Sequence, residues 1–92
     1  MRTRAQVETR ISHLVTLGIH QMNDPRLPMI VSVEKVTVSP DLSQAWVQID
    51  AIERPEQTAE VLNGARGHLQ KLLARELKTR RVPRLHFQAL TP

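Results

Sequence analysis

Between Val61 and Pro83 one apolar stripe, a run of cations and two glycines occupy the same stretch, and that combination limits the folds open to the chain. Val61, Leu62, Ala65, Leu69, Leu72, Leu73 and Leu77 recur at the three- and four-residue spacing of one α-helical face. Arg66, Lys71, Arg75 and Lys78 fall mainly on the opposite side, which makes the helix amphipathic with its cations outward. Unbroken from Glu56 to Arg80, it would run about 37 Å at 1.5 Å per residue, longer than the roughly 30 Å diameter of a compact chain of this size. Gly64 and Gly67 each cost about 1 kcal/mol relative to alanine in a helix interior. A break at Asn63 to Gly67 is therefore expected, giving two helices rather than one. Such a junction exposes backbone N–H groups at the head of the second helix and has the chemistry to receive a phosphate. It serves equally to fit a long helix onto a small sheet, and both readings stand at this point.

Ninety-two residues suffice for one domain, taken here as 1–92, with a core that is adequate without staples. There are no cysteines, so disulfides and thiolate metal sites are excluded, in keeping with a reducing cytoplasm. No apolar run approaches the roughly 18 residues that span a bilayer, and the opening residues lack the apolar core of a secretory signal. The net charge of +4 hides an asymmetry: residues 1–64 carry six Lys or Arg against eight Asp or Glu, and residues 65–92 carry seven against Glu76 alone. A cationic block on one helix and the segment after it is the electrostatic footprint of a phosphate-backbone binder, with an acidic protein partner as the alternative.

In chain order, Val7, Ile11, Leu14, Val15, Ile19 and Met22 mark the apolar stripe of a first helix over Arg4 to Met22, slightly weakened by Gly18 and stopped by Asn23-Asp24-Pro25. Met29 to Ser39 reads as a strand whose alternation changes phase around Glu34-Lys35, which predicts a β-bulge or a strand partly covered on both faces. Ser39 to Ser43 is a turn, and Gln44 to Ala51 alternates as a second strand in an antiparallel hairpin with the first. Trp46 falls on the polar face of that strand, either as a cover for neighbouring side chains or as a stacking platform for a base. Pro55 suits the first turn of the broken helix, and Arg84 to Ala89 forms a third strand with Leu85, Phe87 and Ala89 inward. The order α-β-β-α-kink-α-β predicts an α+β fold, a three-stranded sheet with helices on one face.

That order, with glycines between the later helices, resembles the type II K homology (KH) fold. Asn23 to Leu27, Val38 to Ala45, Leu62 to Leu73 and Arg81 to Phe87 together resemble bacterial ribosome-binding factor A over nearly the whole chain. The resemblance implies a non-enzymatic, cytoplasmic factor for maturation of the small (30S) ribosomal subunit. It implies binding to 16S ribosomal RNA, late processing of that RNA and a role in growth in the cold. It also implies an Ala-x-Gly kink, matched by Ala65-Arg66-Gly67, although Gly64 makes the segment a literal Gly-x-x-Gly as well; Gly64 is read as incidental. Gln70 stands where the family often has arginine, and Leu90 where it often has aspartate, which puts part of the RNA site and the structure just after Phe87 in question.

The expected RNA-binding residues are Arg66, Gly67, Lys71, Arg75, Lys78, Arg80, Arg81 and Arg84, with Arg4 and Arg10 as an extension on the first helix. Phosphate contacts from these cations and from the N–H groups at Gly67 would hold an immature RNA conformation. The chain is expected to act as a monomer, without cofactor or metal and away from membranes. His13, His20, His68 and His86 have no metal-binding spacing, and no nucleophile or phosphate-loop motif supports catalysis. Asp24 and Asp41 sit in turn sequences and are read as structural. A general KH-type RNA-binding module and a protein-interaction domain docking an acidic partner are the competing readings.

Overall fold

Thr3 starts the first helix, α1 (Arg4–Gln21), by a capping box. Its hydroxyl accepts from the Gln6 N–H at 3.1 Å while the Gln6 side chain accepts from the Thr3 N–H at 2.9 Å. The computed structural model describes residues 2–90. The α1 face that carries Val7, Ile11, Leu14, Val15 and Ile19 is buried, as the spacing predicts, and the helix ends one residue before the expected Met22. Gly18 is buried on the same face. A Cβ there would lie 2.5 Å from Leu69 Cδ2 and 3.0 Å from Leu72 Cδ2. What reads in sequence as a weak point of the helix is a place where side chains of the third helix pack directly against α1.

The strands are β1 (Val31–Val38), β2 (Gln44–Ala51) and β3 (Arg84–Ala89), in the sheet order β1-β2-β3. β1 and β2 form the antiparallel hairpin, with a register shift between Val33 and Lys35 that places the bulge where the alternation changes phase. β1 begins at Val31 rather than Met29. Met29 is 95% exposed and Ile30 is also exposed, although the Ile30 carbonyl still accepts from the Ile52 N–H at 3.2 Å. β3 runs parallel to β2, reached by a crossover through α2 (Pro55–Gly64) and α3 (Arg66–Glu76). Leu90 donates its N–H to the Ile49 carbonyl at 2.8 Å, so the sheet stays regular through the point the Leu90 departure had put in question.

The helices cover one face of the sheet. Ala45, Val47, Ile49, Leu85 and Phe87 meet Ile11, Leu62, Leu69, Leu73 and Leu77 in a single core. The architecture is the α+β, KH-like one the element order predicts. α3 stops at Glu76, short of Arg80: Leu77 is its buried C-cap, and Lys78 adopts the left-handed conformation with φ 60°. Arg2, from the other end of the chain, donates to the Leu77 carbonyl at 2.9 Å and satisfies one of the orphan acceptors at that helix end.

β3 lies at a sheet edge, and two side-chain amides stand in for the missing neighbour strand. Gln70 accepts from the Leu85 N–H at 2.6 Å and donates to the Pro83 carbonyl at 3.1 Å. Asn63 accepts from the Phe87 N–H at 2.8 Å and donates to the Phe87 carbonyl at 2.9 Å. On the opposite edge the Glu8 carboxylate accepts from the Val38 N–H at 2.9 Å. Along β3, and at the Val38 end of β1, backbone groups that would otherwise invite another strand are occupied from within.

Candidate nucleic-acid interface

The two later helices meet at Ala65, whose φ of −98° and ψ of 13° interrupt the helical path between Gly64 and Arg66. Neither Gly64 nor Gly67 has positive φ, so the bend does not depend on glycine's left-handed freedom. A Cβ at either position would meet nothing within 4 Å. The two glycines thus bare the backbone on the outside of the bend without serving the interior. The first amides of α3 lie beside them, where a helix has N–H groups free and carries partial positive charge.

Lys71 and Arg75 are exposed one turn apart on α3, and His68 shares their face. With Gln21 and Leu72 they line a groove of about 150 Å³ between α3 and the end of α1. The close approach at Gly18 sets the floor of this groove, because Leu72 packs there. Arg26 borders an adjoining depression together with His68. Its charge is already spent on Asp24, through bonds of 3.0 Å from Nε and 2.7 Å from Nη2.

Arg66 sits apart from Lys71 and Arg75, on the side of α3 that faces β3. Its Nη2 donates to Asn63 Oδ1 at 3.1 Å, and its Nε is buried without a hydrogen-bond partner. Arg84, the first residue of β3, is exposed, and its neighbours Leu85 and Phe87 point into the core. Lys78 lies beyond the helix in its left-handed position, and Arg80 and Arg81 follow in the loop. Among the described residues only Arg81 of these cations has a carboxylate partner, Asp41, at 3.9 Å. The expected cations therefore fall into three groups: Lys71 with Arg75 on the groove, Arg66 with Arg84 near the β3 edge, and Lys78, Arg80 and Arg81 in the segment after α3. Arg10 lines a separate shallow depression on α1 with Arg2 and His13, while Arg4 is exposed outside it.

Sequence reasoning missed His68, Gln21, Asn63 and Gln70. His68 was within reach, since 68, 71 and 75 share the helical repeat. The roles of Asn63 and Gln70 depend on a strand edge that only the folded chain creates.

Asp24 and Asp41 are turn residues, as expected. The carboxyl of Asp24 is held down to about 2 by the bonds from Arg26, which in turn raise the Arg26 pKa. That of Asp41 is held down to about 2 by the Ser43 and Ser39 hydroxyls at 2.7 Å and 2.8 Å and by the Ser43 N–H at 3.1 Å. Burial lowers the pKa of His86, with Arg66 and Arg84 adding to the effect, so its ring is neutral at pH 7. Among the described residues no group of three or more His, Cys, Asp or Glu could hold a metal ion, and no helix is long and apolar enough to cross a membrane. Unpaired cations beside a bare backbone can hold anions, and their spread over several elements suits a polyanion better than a single phosphate.

The family model described as ribosome-binding factor A matches residues 2–89. A ribosome-binding factor A from Alkalilimnicola ehrlichii is 45% identical over 91 residues, covering 95% of this chain and 69% of that protein. A relative of that name from Burkholderia cenocepacia, 39% identical over 83 residues, is covered over only 60% of its length and 89% of this chain. The crystal structure of ribosome-binding factor A from Thermus thermophilus superposes with a TM-score of 0.88 at 32% identity, over 96% of this chain and 97% of that one. A homology model of the Thermus thermophilus factor, fitted into a cryo-electron microscopy map of a 30S complex with that factor, gives 0.78 at 33% identity over 92% of each chain.

Proposed function

The chain belongs to the ribosome-binding factor A family, and we propose that it binds the small ribosomal subunit through 16S ribosomal RNA and assists its late maturation. The observation that carries this reading is the α3 surface. Lys71 and Arg75 stand there without carboxylate partners among the described residues, on a groove beside a bend whose glycines leave the backbone bare. Phosphates would sit against Lys71, Arg75 and the first amides of α3 at Gly67, with Lys78, Arg80 and Arg81 extending the contact and Arg66 and Arg84 guarding the β3 edge. Occupation of that RNA holds it open to processing and delays premature pairing. A requirement in the cold follows from the same reading, since misfolded RNA is slow to escape at low temperature. The 30S complex of the Thermus thermophilus factor supports the choice of partner.

The factor acts in the cytoplasm, where the subunit matures, and as a monomer. The bonds that Asn63 and Gln70 make to β3 support the monomer, because they occupy a strand edge on which a second copy would otherwise pair. No catalytic step is assigned to it.

Co-sedimentation with separated small subunits, large subunits and whole ribosomes tests the reading at about 0.1 M and 0.5 M salt, where backbone contacts differ greatly in strength. Binding confined to free small subunits is the expected result. Removing one phosphate-bound cation lowers the slope of log affinity against log salt by roughly 0.7 to 0.9, so Lys71→Ala with Arg75→Ala should flatten it by roughly 1.4 to 1.8. An unchanged slope removes the α3 surface from the interface. Equal binding to all three particles reduces the chain to a general basic RNA binder, and displacement by an acidic protein but not by excess ribosomal RNA favours the protein-docking alternative.

A further inference from the structure

The face of the sheet turned away from the helices has no covering element among the described residues, and its middle is aromatic. Trp46 on β2 and His86 on β3 are paired across the parallel strands, and their rings lie 24° from parallel with centroids 6.0 Å apart. The His86 ring is fixed by its Nε2–H, which donates to Gln44 Oε1. The Trp46 partner on β1 is Thr37, too small to cover an indole from that side, and Trp46 remains 38% exposed. Strand alternation puts Gln44, Gln48 and Gln88 around the aromatic pair, with Lys35 and Arg84 on the same face. Asp50 is the acid among the paired residues of that face, at the far end of β2.

We infer that this face is a second RNA surface, on which Trp46 stacks an unpaired base of a single-stranded segment while Lys35 and Arg84 hold the flanking phosphates. The proposal rests on the reading that the chain binds ribosomal RNA, and it adds the kind of RNA and the residue that holds it. Base stacking needs an aromatic plane with one side free, and the register gives Trp46 that side. The three glutamines offer donors and acceptors to base edges. Lys35 and Arg84 on either side of the aromatic pair fit an anionic strand better than an apolar partner's core, with the exposed acids of this region, Glu34 in the bulge and Asp50 at the end of β2, away from the Trp46 and His86 rings. The face is also continuous with the α3 site. Arg66 donates to Asn63 Oδ1, which also accepts from the N–H of Phe87 beside His86, and Arg84 is two residues from His86 on the same strand, so one RNA strand can pass from the bend at Ala65 around the β3 edge to Trp46. A neutral His86 backs the indole as a ring rather than as a competing cation.

Trp46 is the sole tryptophan, so its emission reports on this face alone. The experiment titrates the whole chain with a single-stranded, end-labelled oligouridylate of about ten nucleotides, a length such platforms accept, reading label anisotropy and Trp46 emission together. The expected result is saturable quenching with the same dissociation constant as the anisotropy, absent with a duplex of equal length whose bases are already stacked. Trp46→Phe keeps most of the affinity, whereas Trp46→Leu, which fills the space without a ring, loses about 5- to 150-fold, the range of one base–aromatic stack. Lys71→Ala with Arg75→Ala weakens binding but leaves the quenching at saturation intact. Tight binding with Trp46 emission unchanged overturns this inference and leaves the ribosomal reading in place; so does equal quenching by the duplex. The wild-type titration decides the matter even if Trp46→Leu fails to fold. Absence of any binding by anisotropy, together with failure to sediment with small subunits, overturns both.

Discussion

Replacing each of the three glycines by alanine should produce opposite effects on stability, and the signs follow from the space around each one. At Gly64 and Gly67 nothing lies within 4 Å of the new Cβ and φ is not positive. Alanine there only reduces the freedom of the unfolded chain and improves helix propensity, a gain of about 0.4 to 1 kcal/mol at each site. For a domain of this size 1 kcal/mol moves the melting temperature by about 4 to 8 °C, so the double variant should melt roughly 3 to 16 °C higher. At Gly18 the Cβ would stand 2.5 Å from Leu69 Cδ2, and Leu69, 1% exposed within the core, has little free space into which to rotate. Overpacking of this kind costs about 1 to 3 kcal/mol, only partly offset by about 1 kcal/mol of propensity, and Gly18→Ala should melt lower. Thermal unfolding followed by circular dichroism reads all three. Binding separates the glycines further. If a phosphate rests against the amides at the head of α3, Gly67→Ala weakens small-subunit binding while stabilising the fold, and Gly64→Ala stabilises without that loss. Equal losses at both would make the segment a working Gly-x-x-Gly loop, and a fall in melting temperature at Gly64 or Gly67 would refute the reasoning about open space.

Two further outcomes are expected. Gln70→Ala strips the partners from the Leu85 N–H and the Pro83 carbonyl, at a cost of about 1 to 3 kcal/mol in urea unfolding, and speeds hydrogen exchange at the Leu85 amide; unchanged exchange there would show that the edge does not need the seal. Asp24 and Asp41, with folded pKa values near 2 against 3.8, bind fewer protons folded than unfolded. Their contribution is complete above about pH 4 and disappears as pH falls towards 2. Asp41→Asn should therefore flatten the acid limb of a stability–pH curve, and an unchanged limb would dismiss the Ser39 and Ser43 hydroxyls as its cause.

The parts of the fold that depend on near neighbours were legible in the residues. The α1 stripe from Val7 to Ile19, the phase change between Val33 and Val36, and the alternation of Gln44 to Ala51 each state which face is buried, and hydrophobic burial then decides the packing. The end of α3 was not legible. The apolar repeat continues through Leu77 and the cations run on to Arg81, but Leu77 is already the cap and Lys78 turns left-handed. The Leu77 carbonyl is answered by Arg2, from the opposite end of the sequence. Gly18 likewise takes its meaning from Leu69, which no local pattern connects to it.

The candidate site was legible as a charge block but not as a geometry, and the reason lies in α3 itself. A two-colour reading divides a helix into an inner and an outer face, whereas α3 has three sides. Leu69 and Leu73 enter the core, Lys71 and Arg75 meet solvent beside α1, and Arg66 and Gln70 turn to the open edge of β3. Polar residues on the third side look outward in sequence, yet one of them completes a sheet. That third side also divides the cations. A polyanion that met only the outer face would engage Lys71 and Arg75 and leave Arg66 and Arg84 with nothing to neutralise them, since neither has a carboxylate partner among the described residues. A strand that rounds the β3 edge engages both sets, and the surface it then reaches carries the aromatic stack of Trp46 and His86.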